Sequence, residues 1–394
     1  MNDIWDPLVE VEKNLYFWNH SPKIETCKKV SNKKLIHVDL FSGCGGFSVG
    51  FEQAGFATEI ANDIHTPSID TIRHNLKFVN TILGDIKKIK PNVVNELISD
   101  KKKPLVLTAG VPCQGFSLSN RKRHDNDQRN YLFRQFIKFA KILKPDALIL
   151  ENVSGIATAK SGYFKNEIKK AIENLGYDVF FSYLNAADYG VPQIRKRFFF
   201  VGVPKGQEFL FPYPTYQKQN YITVGDALIG DLPSLKINEE KIEYKSKPVN
   251  DYQRYIRGNF NKLLNHKGAN HPDKTVKRIK NTKQGQPMYD SFRQRIRLTT
   301  KLPSPTQVCG GIRPQFQFGH PTQARGLSIR ERARIQSFPD NFFISGGIVQ
   351  GRVQTGNAVP VRLSFVLAKQ LKQLLEGKKI WGIKQGPDQI ELFN

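Results

Sequence analysis

The sequence predicts a doubly wound α/β domain on a mostly parallel sheet, with a second, smaller and irregular domain. Three observations predict this. Over the first half of the chain, apolar runs of strand length alternate with stretches of helical period. The first run ends in a glycine-rich turn that opens a helix, the arrangement that places a ligand at the carboxyl edge of an open sheet. After Pro204 the alternation decays, and from Asp251 to Arg313 there are 14 Lys/Arg against 3 Asp/Glu.

Each element has its own signal. LIHVDLF, Leu35 to Phe41, is an apolar run too short for a helix, and FSVGFEQAGF after the glycines reads as the first helix. ATEIAND, Ala57 to Asp63, is the second strand. TPSIDTIRHNL is a helix with Pro67 near its start, where a missing N–H costs nothing. TILGDI and PLVLTAG give the third and fourth strands. RNYLFRQFIKFAKILK carries an apolar stripe at Leu132, Phe133, Phe136, Ile137 and Ala140. ALILENV, DVFFSYLNA and RFFFVGV are later strands. In LSIRERARIQSF, Ser328 and Glu331 have capping-box spacing. VRLSFVLAKQLKQLLEG is a closing helix with Gly377 as its stop. The expected organisation is an extension over 1–34, a catalytic and ligand-binding domain over 35–210, a basic module over 211–321, and a return to the first domain over 322–394.

With 60 Lys+Arg against 35 Asp+Glu the 394-residue chain carries a net charge of +25, a field that suits a polyanion such as nucleic acid or serves solubility. Its four cysteines, Cys27, Cys44, Cys113 and Cys309, form no CxxC pair, so a disulfide framework or zinc knuckle is not expected. No metal site is expected. The acidic start MNDIWDPLVEVEK does not read as a signal peptide, and no apolar run approaches the roughly 20 residues of a membrane span.

Four stretches can carry chemistry. In DLFSGCGGFSVG the backbone can approach a ligand closely, and Asp63, 20 residues after Gly43, stands where an acid meets a ribose hydroxyl. That pattern alone does not separate NAD from S-adenosylmethionine. Asp85 ends the third strand and is either a nucleobase contact or a helix-start acid. In AGVPCQGFSLS, Pro112 and Cys113 follow the fourth strand; Cys113 is a reagent at the sheet's ligand edge or a buried filler. Glu151 in LENV is a helix cap or a functional carboxylate. Arg195 and Arg197 alternate at a strand start, so their guanidiniums are expected on one side, facing an anion or carbonyl or simply solvent.

Together, FSGCGG, GVPCQGFS, ENV, QIRKR, RGLSIRERARIQSFPD and GNAVP stand in the order of the C5-cytosine DNA methyltransferase family, which the chain closely resembles. The resemblance covers Leu35 to about Val203 and Thr322 to about Gly377, with the basic module where that family keeps its variable target-recognition region. It implies a Rossmann-like fold holding S-adenosylmethionine and a small DNA-reading domain. It places Phe41, Gly43, Gly45, Gly46, Asp63, Ile64, Asp85, Ile86, Pro112, Asn357 and Ala358 at the cofactor. Cys113, Glu151, Arg195 and Arg197 become catalytic, and Ser117, Ser119, Arg129 and Gln193 contact DNA. The implied partners are double-stranded DNA and a restriction endonuclease, for a monomer in the bacterial cytoplasm.

The residue types suit the chemistry. Cytosine C5 is a poor nucleophile until a thiolate adds to C6; Glu151 at N3 supports the addition, and the two arginines hold O2. The base must first leave the duplex stack. Departures from the family pattern are Asp63 for the commoner Glu, Ile64 for an aromatic residue, and residues 1–33, which match nothing. Bracing the sheet, contacting DNA and regulating a partner gene all remain open for that segment. The rival readings are a catalytically silent DNA-binding protein, an RNA methyltransferase of the same fold, and a NAD-dependent oxidoreductase, which explains only the glycine turn.

Overall fold

The computed structural model describes residues 21–27, 31–112, 131–309 and 316–384. Among these, eight strands form one sheet: β1 (Lys23–Glu25), β2 (Leu35–Leu40), β3 (Phe56–Asp63), β4 (Asn80–Leu83), β5 (Leu105–Gly110), β6 (Ala147–Val153), β7 (Tyr177–Asn185) and β8 (Lys196–Pro204). Their order is β1-β4-β3-β2-β5-β6-β8-β7. The run β4-β3-β2-β5-β6 is parallel. The outer pairings β1–β4, β6–β8 and β8–β7 are antiparallel. The strand order therefore reverses beside β2, the place where such sheets open a ligand crevice.

All six residues of β2 are buried, as a strand covered on both faces requires. Ile36, Val38 and Leu40 enter a core shared with β5, β6, β8 and the helices Phe133–Leu143 and Tyr163–Glu173. The alternate residues His37 and Asp39 point to the opposite face, where His37 stacks on Phe51 of the helix Gly46–Ala54.

In chain order the helices are α1 (Gly46–Ala54), α2 (Thr66–Asn75), α3 (Pro91–Glu96), α4 (Phe133–Leu143), α5 (Tyr163–Glu173), α6 (Val224–Leu228), α7 (Asp251–Arg257), α8 (Asp273–Asn281), α9 (Ile329–Ile335), α10 (Gly347–Asn357) and α11 (Val361–Leu375). The expected capping box is present at α9, where Ser328 Oγ accepts from Glu331 N. The stop at Gly377 adopts φ 67°.

The chain clusters into two compact units. One holds the sheet, with the described residues of 21–185, 196–215 and 362–384. The other takes in 186–195 and 216–361. It includes most of the expected 211–321 interval and also 322–361. It has a core of its own around Leu228, Tyr252, Ile256, Leu298, Phe318 and Ile335. Its described residues carry short helices and isolated bridges and contribute no strand to the sheet. Among the described residues no helix is long and apolar enough to cross a membrane.

Candidate active site at the carboxyl edge of the sheet

The turn from β2 into α1 is built on left-handed backbone. Phe41, Gly43 and Gly45 have φ of 52°, 54° and 89°. At Gly43 the space a Cβ would occupy is open, with no atom of the described residues within 4 Å. A ligand can approach the main chain there without meeting a side chain. Gly45 sits against Ile72, and Gly46 begins α1. The glycines of this motif therefore serve separate needs, one open to a ligand and one closing on α2.

Asp63 holds the turn from the end of β3. Its carboxylate accepts from Gly43 N at 2.8 Å and from His65 N at 2.8 Å. Its short side chain is spent on shaping the loop, and its oxygens retain further lone pairs for a hydroxyl donor. Ile64 beside it is half-buried. Asp85 follows β4 and accepts from Lys87 N at 2.9 Å, so it is a helix-start acid as well as a carboxylate at the ligand edge. Ile86, expected at the cofactor, is 3% exposed, with its side chain packed in the main core. Asn62, which carried no signal in the sequence, ties the edge together by donating to Ile82 O and Gly84 O.

Behind the turn lies a buried polar chain that the sequence did not suggest. Asp39 accepts from Ser48 Oγ at 2.6 Å, Ser48 N at 3.1 Å and Thr108 Oγ1 at 2.9 Å. His37 bridges Thr108 Oγ1 and Thr58 Oγ1, each at 2.9 Å. Burial pushes the Asp39 carboxyl up to about 7 and the His37 imidazole down to about 3. Cys44, inside the glycine turn, is buried, and burial pushes its thiol up to about 12. It is a packing residue with no thiolate to offer at neutral pH.

The second half of the edge is formed by β5, β6 and β8. A Cβ on Gly110 would lie 3.6 Å from Glu151 Oε2 and 3.7 Å from Phe41 O, so the end of β5, the glycine turn and Glu151 converge. Glu151 accepts from Arg197 Nε at 2.9 Å, with both side chains largely out of water. Burial lowers the Arg197 pKa, and Glu151 opposes that shift by favouring the charged guanidinium. Parallel pairing of Gly110 with Glu151 and antiparallel pairing of Val153 with Arg197 fix this geometry from the backbone. Pro112, just beyond β5, is exposed. Helix α11 packs on α1: Ser364 Oγ donates to Phe47 O at 3.0 Å, and Gly50 leaves room for it.

Arg195 and Arg197 have separate partners, and strand β8 begins between them at Lys196. Arg195 is 2% exposed and donates to Gln307 O at 2.9 Å and Gly356 O at 3.0 Å within the second unit. Gln193, expected at DNA, is fully buried. Its amide donates to Gln336 Oε1 and its oxygen accepts from Gln307 N. In the same unit, a Cβ on Gly356 would fall 2.3 Å from Cys309 N, which explains the glycine of GNAVP. Asn357 is exposed at the end of α10, and Ala358 is buried. Cys113, Ser117, Ser119 and Arg129 lie outside the described residues.

Comparison with known proteins shows the family. The profile described as C-5 cytosine-specific DNA methylase matches residues 35–373. The chain is 34% identical to the type II methyltransferase M1.HphI of Haemophilus parahaemolyticus, over 86% of this chain and 87% of that protein. It is 35% identical to the type II methyltransferase M.DdeI of Desulfomicrobium norvegicum, over 86% and 89%. The crystal structure of a prophage-encoded DNA modification methyltransferase (E. coli) superposes with a TM-score of 0.73 at 26% identity, covering 87% of this chain and 99% of that one. The S. pombe Dnmt2 methyltransferase shares the fold at a TM-score of 0.57 and 16% identity, covering 86% and 99%. The chain belongs to the C-5 cytosine-specific DNA methylase family and is a DNA (cytosine-5-)-methyltransferase.

Proposed function

We propose that this is a site-specific modification methyltransferase, working as a monomer beside a restriction endonuclease in a bacterial cytoplasm. The named relatives support the modification role. We assign S-adenosylmethionine as its cofactor. The open space at Gly43 and the carboxylates ending β3 and β4 fit an extended nucleoside with hydroxyl and amine donors. Phe41, Gly45, Gly46, Pro112, Asn357 and Ala358 complete the assignment by family resemblance. When bound, the cofactor supplies an electrophilic methyl group on a sulfonium.

The chain's own residues do the rest. Cys113 adds as thiolate to C6 of an everted cytosine, and the ring becomes an enamine nucleophilic at C5. Glu151 protonates or hydrogen-bonds ring N3. Arg197 orients Glu151 and stands beside it to receive O2. After C5 is methylated, loss of the C5 proton expels the Cys113 sulfur and restores the ring. Arg195 acts at one remove, pinning the backbone at Gln307 and Gly356. The observation that carries this reading is the Glu151–Arg197 pair at the β5 edge, next to the glycine turn.

The second unit is the DNA-recognition domain in this reading. Lys274, Lys277 and Lys280 are exposed along α8, and Arg293 and Gln294 are exposed on the hairpin that follows. The hairpin is braced where Met288 N donates to Arg295 O and Arg297 N to Gln286 O, and where Arg295 stacks on Phe292. The lysines suit phosphates and the hairpin tip suits base edges. Ser117, Ser119 and Arg129 would close over the flipped base.

Bisulfite sequencing of plasmid from expressing cells is expected to show one short motif protected at one cytosine. Unprotected plasmid from soluble, folded protein would overturn the reading. For the mechanism, Glu151→Gln is expected to lower kcat about 100-fold, the scale of a lost general acid. Binding of duplex and cofactor should change little. A variant within threefold of the parent kcat would remove Glu151 from the chemistry.

A further inference from the structure

We propose that Pro22 to Cys27, ahead of the family-matching region, is a positioning element for the cofactor. It fixes the loop Gly84–Asp85 by making β4 an interior strand. The inference rests on the cofactor reading above.

β4 is four residues long and carries Asp85 at its end. With β3 as its sole partner it would be an edge strand, frayed on one side. β1 supplies the other side: Lys23, Ile24 and Glu25 pair with Leu83, Ile82 and Thr81. The antiparallel direction brings Pro22 beside Gly84. A Cβ on Gly84 would lie 3.0 Å from Pro22 Cα, so the two backbones are in direct contact. On its other side Gly84 N donates to Asp63 O at 3.0 Å, and Gly84 O accepts from Asn62. Gly84 is thus held between Pro22 and the end of β3. The spacing of the Asp63 and Asp85 carboxylates depends on both walls.

The far end of the segment is anchored independently. Cys27 N donates to Asn80 Oδ1 at 2.7 Å and Cys27 Sγ to Lys77 O at 3.2 Å. Glu25 pairs with Arg73 of α2 at 3.0 Å, and Arg73 Nε also donates to Thr81 Oγ1. All three β1 residues are exposed, so the strand adds little to the core. That separates a brace from a folding element. Losing β1 costs little apolar burial but releases the loop that presents Asp85.

The test uses the full chain and S-adenosylhomocysteine, the unreactive product, measured by calorimetry. Ile24→Pro, which removes a strand N–H and fixes φ, is expected to raise its Kd about 10-fold through loss of preorganisation. Pro22→Gly leaves the ladder intact and should raise it about 3-fold for the same reason. Duplex Kd and kcat at saturating cofactor should stay within about twofold, and amide exchange at Leu83 to Asp85 should quicken. Unchanged cofactor affinity with a lowered Tm would make β1 a stability element and overturn the inference. A change confined to duplex affinity would overturn it in favour of a DNA contact. If the unaltered chain took up no S-adenosylhomocysteine, the cofactor reading would fall, and this inference with it.

Discussion

Cys113→Ser is expected to reduce methyl transfer by at least about 10⁴-fold, or roughly 5.4 kcal/mol of barrier, at about 1.36 kcal/mol per factor of ten. A hydroxyl has no accessible anion near neutral pH and is a far weaker nucleophile than a thiolate towards an sp² carbon. Binding of duplex and cofactor should survive the change, because one atom is replaced by a smaller one. The effect should therefore fall on single-turnover rate at saturation. A duplex bearing 5-fluorocytosine at the target gives a second readout. Its C5 carries no removable proton, so the sulfur adduct accumulates and its mass maps to the peptide containing Cys113. Cys44 offers no substitute, since burial pushes its thiol up to about 12. A serine variant within tenfold of the parent, or an adduct mapped to another cysteine, would remove the covalent step assigned to this residue.

Those parts of the site that rest on local chain chemistry were legible in the sequence. Apolar runs too short for helices became β2, β3, β5 and β6, and the glycine turn appeared because only positive φ lets the chain leave β2 in that direction. The capping box at Ser328 worked for the same reason, both partners lying within one helical turn. Features decided by tertiary neighbours were not legible. β1 is the polar tripeptide KIE, exposed at every position, so it has no hydrophobic period to detect. The direction of β8 leaves no trace in RFFFVGV, because a buried strand reads alike whether parallel or antiparallel. Arg195 and Gln193 looked like surface or ligand groups. Both are buried where backbone groups at 307, 335 and 356 and the side-chain oxygen of Gln336 pair with them. Helix α9, IRERARI, carries four charged residues, yet all seven of its residues are buried.

That helix carries the second large prediction. Arg334 is wholly buried and donates to Asp231 at 2.7 and 2.8 Å, to Asp340 at 2.5 Å, and to Ala227 O at 3.0 Å. Asp340 also accepts from Tyr244 Oη, and Arg330 stands 3.7 Å from it. Burial pushes the Asp340 carboxyl up, but the arginines outweigh burial and hold it below the usual carboxylate range. By linkage, this group's stabilisation is present above the ordinary aspartate pKa near 3.8 and is lost as pH falls through the lower folded value. Arg334→Met fills similar volume but leaves two buried carboxylates without their main counter-charge. It should destabilise the unit spanning 186–195 and 216–361 by about 3–5 kcal/mol at pH 7.5. The sign of the pH dependence should then invert. Without Arg334 the buried Asp340 carboxyl favours its protonated form, so the variant should recover stability between pH 7.5 and 5.5, where the parent changes little. Adding Asp231→Asn and Asp340→Asn should restore part of the loss, because amides bury at lower cost than unpaired charges. Denaturant midpoints for the three chains at both pH values measure each step. A loss under about 1 kcal/mol in the single variant, the value of an exposed pair, would show that these charges are solvated and that the unit is held by its apolar core alone.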